Sequence, residues 1–299
     1  MLIRAATRGS ALARWQTDHV AELLRAADPS VTVEAVVVET TADRRQDIPI
    51  SAMGGKGVFV KEIEAAVLDG RADIAVHSAK DLPSLTHPDL ALAAIPERGD
   101  PRDALVGATL DQLRPGSRVA TGSNRRRAQL AHLRPKLEFS QLRGNIATRL
   151  EKAKGFDAII VAAAAVQRLG LDEHISQLLD PDVMVPQVGQ GALAVECRND
   201  DYDLIALLDR IDHRASRRCV EAERAFLAEL GGDCELPAAA HATTVGDDAL
   251  GLDALVASFD GFIVLRERVE ARDGVAAARA AARRILDERG GAALLAGEQ

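Results

Sequence analysis

Cysteine, aromatic side chains and long apolar runs are all in short supply in this chain of 299 residues. Three cysteines, an odd number, argue against a disulfide framework and for a reducing compartment, so a cytoplasmic location is expected. One Trp, one Tyr and six Phe leave few platforms on which nucleic-acid bases could stack, and they oblige the cores to be built from Ala, Leu, Val and Ile. The longest uncharged apolar run, AIIVAAAAV at 158–166, is far shorter than the ~20 residues a membrane-spanning helix needs. The opening MLIRAATRGS reads as a strand entering a turn, without the apolar core of a secretion signal. Neither nucleic acid nor a membrane is expected as a partner. His, Cys and acidic residues lack the spacing of metal ligands, so no metal site is expected either.

What the chain does have is charge, unevenly placed. The formal net charge is −8. Between Arg118 and Lys154, however, ten Lys and Arg face only two acids, Glu138 and Glu151, a local +8 inside an otherwise acidic protein. Such a segment points to a site for an anion.

Strand and helix patterns alternate along the chain. Strands are expected at 2–7, 31–40, 72–78 and 90–96, with helices from Ser10 to Ala27 and over VFVKEIEAAVLDG, and a long loop at 41–57. After a Pro/Gly-punctuated crossing, PERGDPRDALV, the pattern restarts with strands RVATGS, LEFSQL and AIIVAAAAV and helices at 124–134 and 145–154. A strand within 186–197 fits back into the first sheet, helices follow at 202–211 and 215–230, and a hairpin turning on Asp260-Gly261 precedes a helix at 274–289. Alternation of this kind implies parallel α/β sheets, here in two lobes flanking a cleft, with a small α+β domain at the end.

Three strand–turn–helix junctions share one design. ATRGSAL offers Arg8 and a capping Ser10; ATGSNRRRAQL offers Thr121, Ser123, Arg125 and Arg126; QLRGNIATRL offers Arg143, then Arg149 in the helix. Each combines unpaired backbone N–H groups, the positive end of a helix dipole, a capping side chain and a guanidinium, which is what a carboxylate or phosphate requires. Solvated helix faces are the bland alternative, but it weakens when the design occurs three times. The loop lysine Lys56, in MGGKG, is a further cation for the same site.

In VHSAKDLPS, Ser78, Lys80 and Asp81 end a strand. A carboxylate beside a lysine among arginines stays ionised, and it can stabilise a cation or carry a proton. Asp81 could instead cap a local turn before Pro83. His77 could be a base, but a lone His ending an apolar strand is more often structural. The third feature is Cys234 in AELGGDCELPAAA, just past a helix that stops on Gly231-Gly232. Cys197 and Cys219 read as packed thiols. Cys234 alone lies on a turn, between Asp233 and Glu235, whose charges disfavour its thiolate.

Taken with GGKGVFVKEIE, RGDPRDALV, RRRAQLAHLRP, DAIIVAAAAVQRLGL and VGQGALAVECR, these motifs run over almost the whole length, and the chain resembles the porphobilinogen deaminase (hydroxymethylbilane synthase) family. The resemblance implies an enzyme that condenses four porphobilinogen molecules head to tail into the linear tetrapyrrole hydroxymethylbilane, releasing ammonia at each step. It implies a dipyrromethane primer held by a thioether to Cys234, with Asp81 as the catalytic acid. Arg8, Ser10, Lys56, Ser78, Lys80, Thr121, Ser123, Arg125, Arg126, Arg143, Arg149, Arg168 and Gln190 match the positions that bind primer and substrate. Acetate and propionate groups on every pyrrole account for the positive segment.

The fold implied is two periplasmic-binding-protein-like α/β domains, at 1–97 with 191–212 and at 98–190, plus a C-terminal α+β domain at 213–299 carrying the cysteine loop. The family precedent is a monomer. This chain departs from the family pattern at Asp233, where a third glycine is usual, at Glu235, at Gly122, where serine is common, and at Ala52, where some members carry a second loop lysine. A non-catalytic anion-binding protein, or a paralogue without primer, remains open at this point.

Overall fold

The computed structural model describes residues 1–40, 60–231 and 236–296. The chain divides into two compact units, Met1–Gly99 with Ala192–Arg218, and Asp100–Gly191 with Cys219–Gln299. The first stretch of the first unit runs β1 (Leu2–Thr7), α1 (Ala11–Ala27), β2 (Thr32–Val37), α2 (Lys61–Leu68), β3 (Ile74–Ser78), a 3-10 turn (Ala79–Asp81) and β4 (Leu90–Ala94). The second unit opens with β5 (Asp103–Val106), β6 (Arg118–Ala120), α3 (Asn124–Leu133), β7 (Glu138–Ser140), α4 (Ile146–Ala153), β8 (Ala158–Ala162), α5 (Ala163–Gln167) and β9 (Gln177–Leu179). Strand β10 (Leu193–Arg198) and α6 (Tyr202–Asp209) return to the first unit, and the boundary then falls inside α7 (Arg214–Glu229). The last elements are β11 (Ala238–Val245), β12 (Ala249–Ala257), β13 (Val264–Ala271), α8 (Gly274–Arg283) and α9 (Gly291–Ala296).

Among the described residues both α/β sheets have one plan. The orders are β2-β1-β3-β10-β4 and β7-β6-β8-β5-β9. In each, the first three strands are parallel and the fourth is antiparallel to both neighbours. The fully parallel sheets expected from alternation are thus mixed sheets. The fourth strand is β10, drawn from late in the chain, in one unit and β5, drawn from the start of its unit, in the other, so no βαβ crossover constrains its direction. The C-terminal piece is a separate antiparallel sheet, β11-β12-β13.

Local chemistry explains the junctions. Ser10, Ser123 and Asn145 each accept a hydrogen bond from the backbone N–H three residues on, the N-cap arrangement that satisfies an otherwise orphaned donor. Helix α1 then buries Gln16, Thr17, Val20 and Leu24, and Val20 and Leu24 pack with Ile3, Ile74, Leu193 and Val195 in the core of the first sheet. Burying a side chain such as Leu24 contributes about 1.5–3 kcal/mol. In the second unit Leu105, Val119, Leu130 and Ile160 form the matching core. The C-terminal sheet packs Leu252 and Ala254 against Phe226 of α7 and Ala278 of α8.

Three expectations change. Strand 158–166 stops at Ala162 and continues as helix α5, because the β-branched run ends and three alanines, the strongest helix formers, follow. The hairpin does not turn on two residues. The Asp260 carboxylate accepts from the Ser258 hydroxyl (2.6 Å) and the Phe262 N–H (3.0 Å), closing a wider loop between β12 and β13. The expected helix at 274–289 leaves α-helical geometry after Arg283, and Arg284–Glu288 wind as a π turn.

Candidate functional site

In the first unit, Arg8, Ser10, Ser78 and Asp81 line one pocket together with Gln16 and His77. Arg8 follows the end of β1, Ser10 caps α1, and Asp81 closes the 3-10 turn that leaves β3. The turn is fixed from behind, since the Ala79 N–H donates to the carbonyl of Ala192 at 3.0 Å. Gln16 donates from its amide to the Ser78 hydroxyl at 2.7 Å, tying α1 to the end of β3. Lys80, in the same turn, is half-buried. The pocket therefore offers a helix N-terminus, a guanidinium, two hydroxyls and one carboxylate.

In the second unit, Thr121 and Ser123 form the turn into α3. The Thr121 hydroxyl accepts from the Ser123 N–H at 3.2 Å, and the Ser123 hydroxyl accepts from the Arg126 N–H at 3.4 Å. Gly122 is needed here, because a Cβ at this position would stand 2.8 Å from the carbonyl oxygen of Leu142. Gly144, at φ +116, opens the turn into α4 in a conformation that favours glycine, and a Cβ there would meet Thr148. Arg149 donates from Nε to the Gly144 carbonyl at 2.8 Å, and Lys152 donates to that of Arg143 at 3.0 Å.

Arg125 and Arg126 lie inside the unit and not on a solvated helix face. Arg125 donates to both carboxylate oxygens of Asp103 (2.6 and 3.2 Å) and to the Val185 carbonyl (2.8 Å). Arg126 donates from Nε to Asp103 at 2.8 Å and from its terminal nitrogens to Ile160 and Gln190. Gln190 completes the group by donating to Asp103 (3.0 Å) and to the Pro101 carbonyl (2.7 Å). Burial alone would raise the Asp103 carboxyl, but the two guanidinium groups outweigh it and hold it well below the usual carboxylate range. Burial lowers Arg126 against the pull of Asp103. Arg168, which donates to the Gly191 carbonyl at 2.6 Å, is pushed down to about 10 by burial.

Cys197 and Cys219 are buried thiols, and desolvation pushes Cys197 up to about 11. Cys234 and Lys56 lie outside the described residues, as do Ala52, Asp233 and Glu235. Among the described residues no cluster of His, Cys, Asp and Glu could hold a metal ion, and no helix is long and apolar enough to cross a membrane. Sequence reasoning missed Gln16, whose signal was a glutamine in the buried stripe of α1. It also missed Asp103, which sits in what read as a crossing; His77, read as more structural than catalytic, lines the pocket.

The porphobilinogen deaminase dipyromethane cofactor-binding domain matches residues 3–206, and the porphobilinogen deaminase C-terminal domain matches residues 217–288. The porphobilinogen deaminase of Roseiflexus sp. (strain RS-1) is 49% identical over 297 residues, covering 97% of each chain. That of Nitratidesulfovibrio vulgaris (strain DSM 19637 / Miyazaki F) is 48% identical over 280 residues, covering 91% of this chain and 88% of its own. Among solved structures, the periplasmic VFT2 domain of Bordetella pertussis BvgS is 18% identical, with a TM-score of 0.40 over 70% of this chain and 86% of its own. Two family domains matched in order, and relatives near half identity over almost the full length, place the chain in the porphobilinogen deaminase family.

Proposed function

We propose that Asp81 is the acid–base residue of this transferase and that Cys234 anchors its dipyrromethane cofactor. As a member of its family the protein is a hydroxymethylbilane synthase, with porphobilinogen as substrate and a dipyrromethane held covalently by a cysteine. When bound, that group supplies the free pyrrole α-carbon to which each new ring is added. The observation that carries the residue assignment is the pocket that gathers Arg8, Ser10, Ser78 and Asp81 in the first unit. Its donors fit a pyrrole bearing acetate and propionate: a guanidinium, two hydroxyls and the N-terminus of α1 can each take a carboxylate oxygen.

Asp81 is the acid in that set. Its carboxylate is suited to offset positive charge as ammonia leaves the substrate, and to take the proton lost when the new carbon–carbon bond forms. Arg8, Ser10 and Ser78 orient the ring, with Gln16 holding the Ser78 hydroxyl. Thr121, Ser123, Arg143, Arg149 and Arg168, with Lys56 and Lys80, are the further cations and hydroxyls for a product that gains carboxylates at every step. Arg125, Arg126 and Gln190 serve through Asp103, by setting the geometry of the turn into α3.

The protein is expected to act as a cytoplasmic monomer with no nucleic-acid partner. Replacing Asp81 by Ala tests the assignment. Turnover of porphobilinogen falls by at least ~100-fold, the scale of a lost general acid–base group, while the cofactor is still carried. Retained turnover would refute it.

A further inference from the structure

His77 is the feature that the function leaves unused. It lies in β3 opposite Ala194 of β10, and Glu196, two residues along β10, is opposite Ala75. Residues 75, 77, 194 and 196 therefore share one face of the sheet, with His77 and Glu196 as diagonal neighbours. Their side chains are only 5% and 1% exposed, and His77 Nε2 stands 3.3 Å from a Glu196 carboxylate oxygen. Both atoms are buried, and among the described residues neither has a hydrogen-bond partner. The same face packs against α2, where Ala75 meets Ile63, Ala66 and Val67. Glu64, on that helix, is also buried.

Three ionisable groups thus share a region largely closed to solvent, and buried charges are tolerated only when they offset one another. Burial first, and then the neighbouring Glu196, push the Glu64 carboxyl up. The other charged groups acting there are Lys61 of α2 and His87 before β4. His77 also lines the pocket that holds Arg8 and Asp81.

Resting on the assignment of Asp81 above, we propose that His77, with Glu196 and Glu64 behind it, is a positioning residue whose proton sets the charge on the pocket wall beside Asp81. His77 and Asp81 line the same pocket, so a charge on this group acts on Asp81 across it. Turnover then carries a pH dependence that belongs to the buried group as well as to Asp81.

The experiment uses the cofactor-loaded enzyme. The pH profile of kcat is measured for the wild type, His77→Gln and Glu196→Gln, with KM and the melting temperature alongside. Both variants are expected to lose kcat about tenfold at the wild-type optimum, equivalent to displacing one proton equilibrium by about one pH unit. The inflection of the profile moves, while KM changes less than about twofold. Variants that melt earlier but keep the wild-type kcat and profile would reduce His77 to packing and overturn the proposal.

A second arm does not depend on turnover. The His77 ring signals are followed by NMR against pH in the wild type and in Asp81→Asn, whose side chain lies in an accessible turn. A displaced midpoint supports coupling between the two residues, and an unchanged midpoint refutes it. If the wild type fails to turn over porphobilinogen, the assignment of function fails, and this second arm still decides the proposal.

Discussion

The two α/β sheets follow one plan and bury an acid on the same strand of that plan, yet they neutralise it in different ways. In the second unit the acid is Asp103 of β5. Two arginines and a glutamine hold it, at donor distances from 2.6 to 3.2 Å. In the first unit it is Glu196 of β10, with His77 at 3.3 Å and, among the described residues, no hydrogen bond to the facing oxygen. Arginine stays charged at any ordinary pH, so the Asp103 group is fixed. Glu196 faces an imidazole in place of guanidinium groups, and under the proposal above its group is adjustable. The fixed group lies behind the turn that presents Thr121 and Ser123. The adjustable one lies beside Asp81, where protons move under the proposed mechanism.

The largest effect should come from breaking the fixed group. Asp103→Asn leaves two buried guanidinium groups without their counter-charge and should cost about 3–5 kcal/mol in urea denaturation at neutral pH. Glu196→Gln removes one acid from a group that still contains another, so a smaller loss of about 1–3 kcal/mol is expected. An equal or larger loss at Glu196 would end the contrast between a fixed and an adjustable acid.

Gly122→Ala probes the turn in front of Asp103. The added Cβ presses on the Leu142 carbonyl, at a cost of about 1–3 kcal/mol measured in the same way. An unchanged midpoint would show that the turn has room for a side chain.

The pH dependences of the two sheets should run in opposite directions. Asp103 lies below the usual carboxylate range in the folded protein, so its contribution is present at neutral pH and is lost as pH falls through that lowered value. Glu64 lies above its ordinary 4.5, so its contribution is present below that value and is lost as pH rises through the raised one. Glu64→Gln should therefore gain stability relative to the wild type as pH rises from below 4.5 to neutrality. Denaturation on both sides of that value checks it, and a constant difference would contradict a raised Glu64 carboxyl. The smallest effect concerns Asp233, which lies outside the described residues. Asp233→Gly should load cofactor faster from the apo-protein, because one acid beside the Cys234 thiol is gone.

How much of this was legible in the sequence depended on whether the cause was local. Ser10, Ser123 and Asn145 could be read as caps because a cap involves residues three positions apart. The returning strand β10 was legible from apolar patterning, as were β1 to β4 and β6 to β8. Strand β5 was not, since four residues after a proline carry no period and gain their order from pairing with β8 and β9. Strand β11 hid in the alanine-rich AAAHATTV, whose composition does not favour a strand, and its register with β12 supplies what propensity lacks. Arg125 and Arg126 showed the same limit at the site. Their charge suggested an anion, but the partner, Asp103, is 22 and 23 residues away and could not be paired with them from sequence. The resemblance in the motifs identified the family, while the division of labour among its cations needed coordinates.

Cys234 as the cofactor anchor and Asp81 as the acid that works on what it holds are the two assignments on which the proposed chemistry depends. Intact-mass measurement with peptide mapping, on the purified wild type and on Asp81→Ala and Cys234→Ala, tests both at once. The account predicts an added mass of two linked pyrroles at Cys234 in the first two proteins and a bare chain in the third, with porphobilinogen turnover in the wild type alone. A bare wild-type chain that stays bare after incubation with porphobilinogen would contradict it.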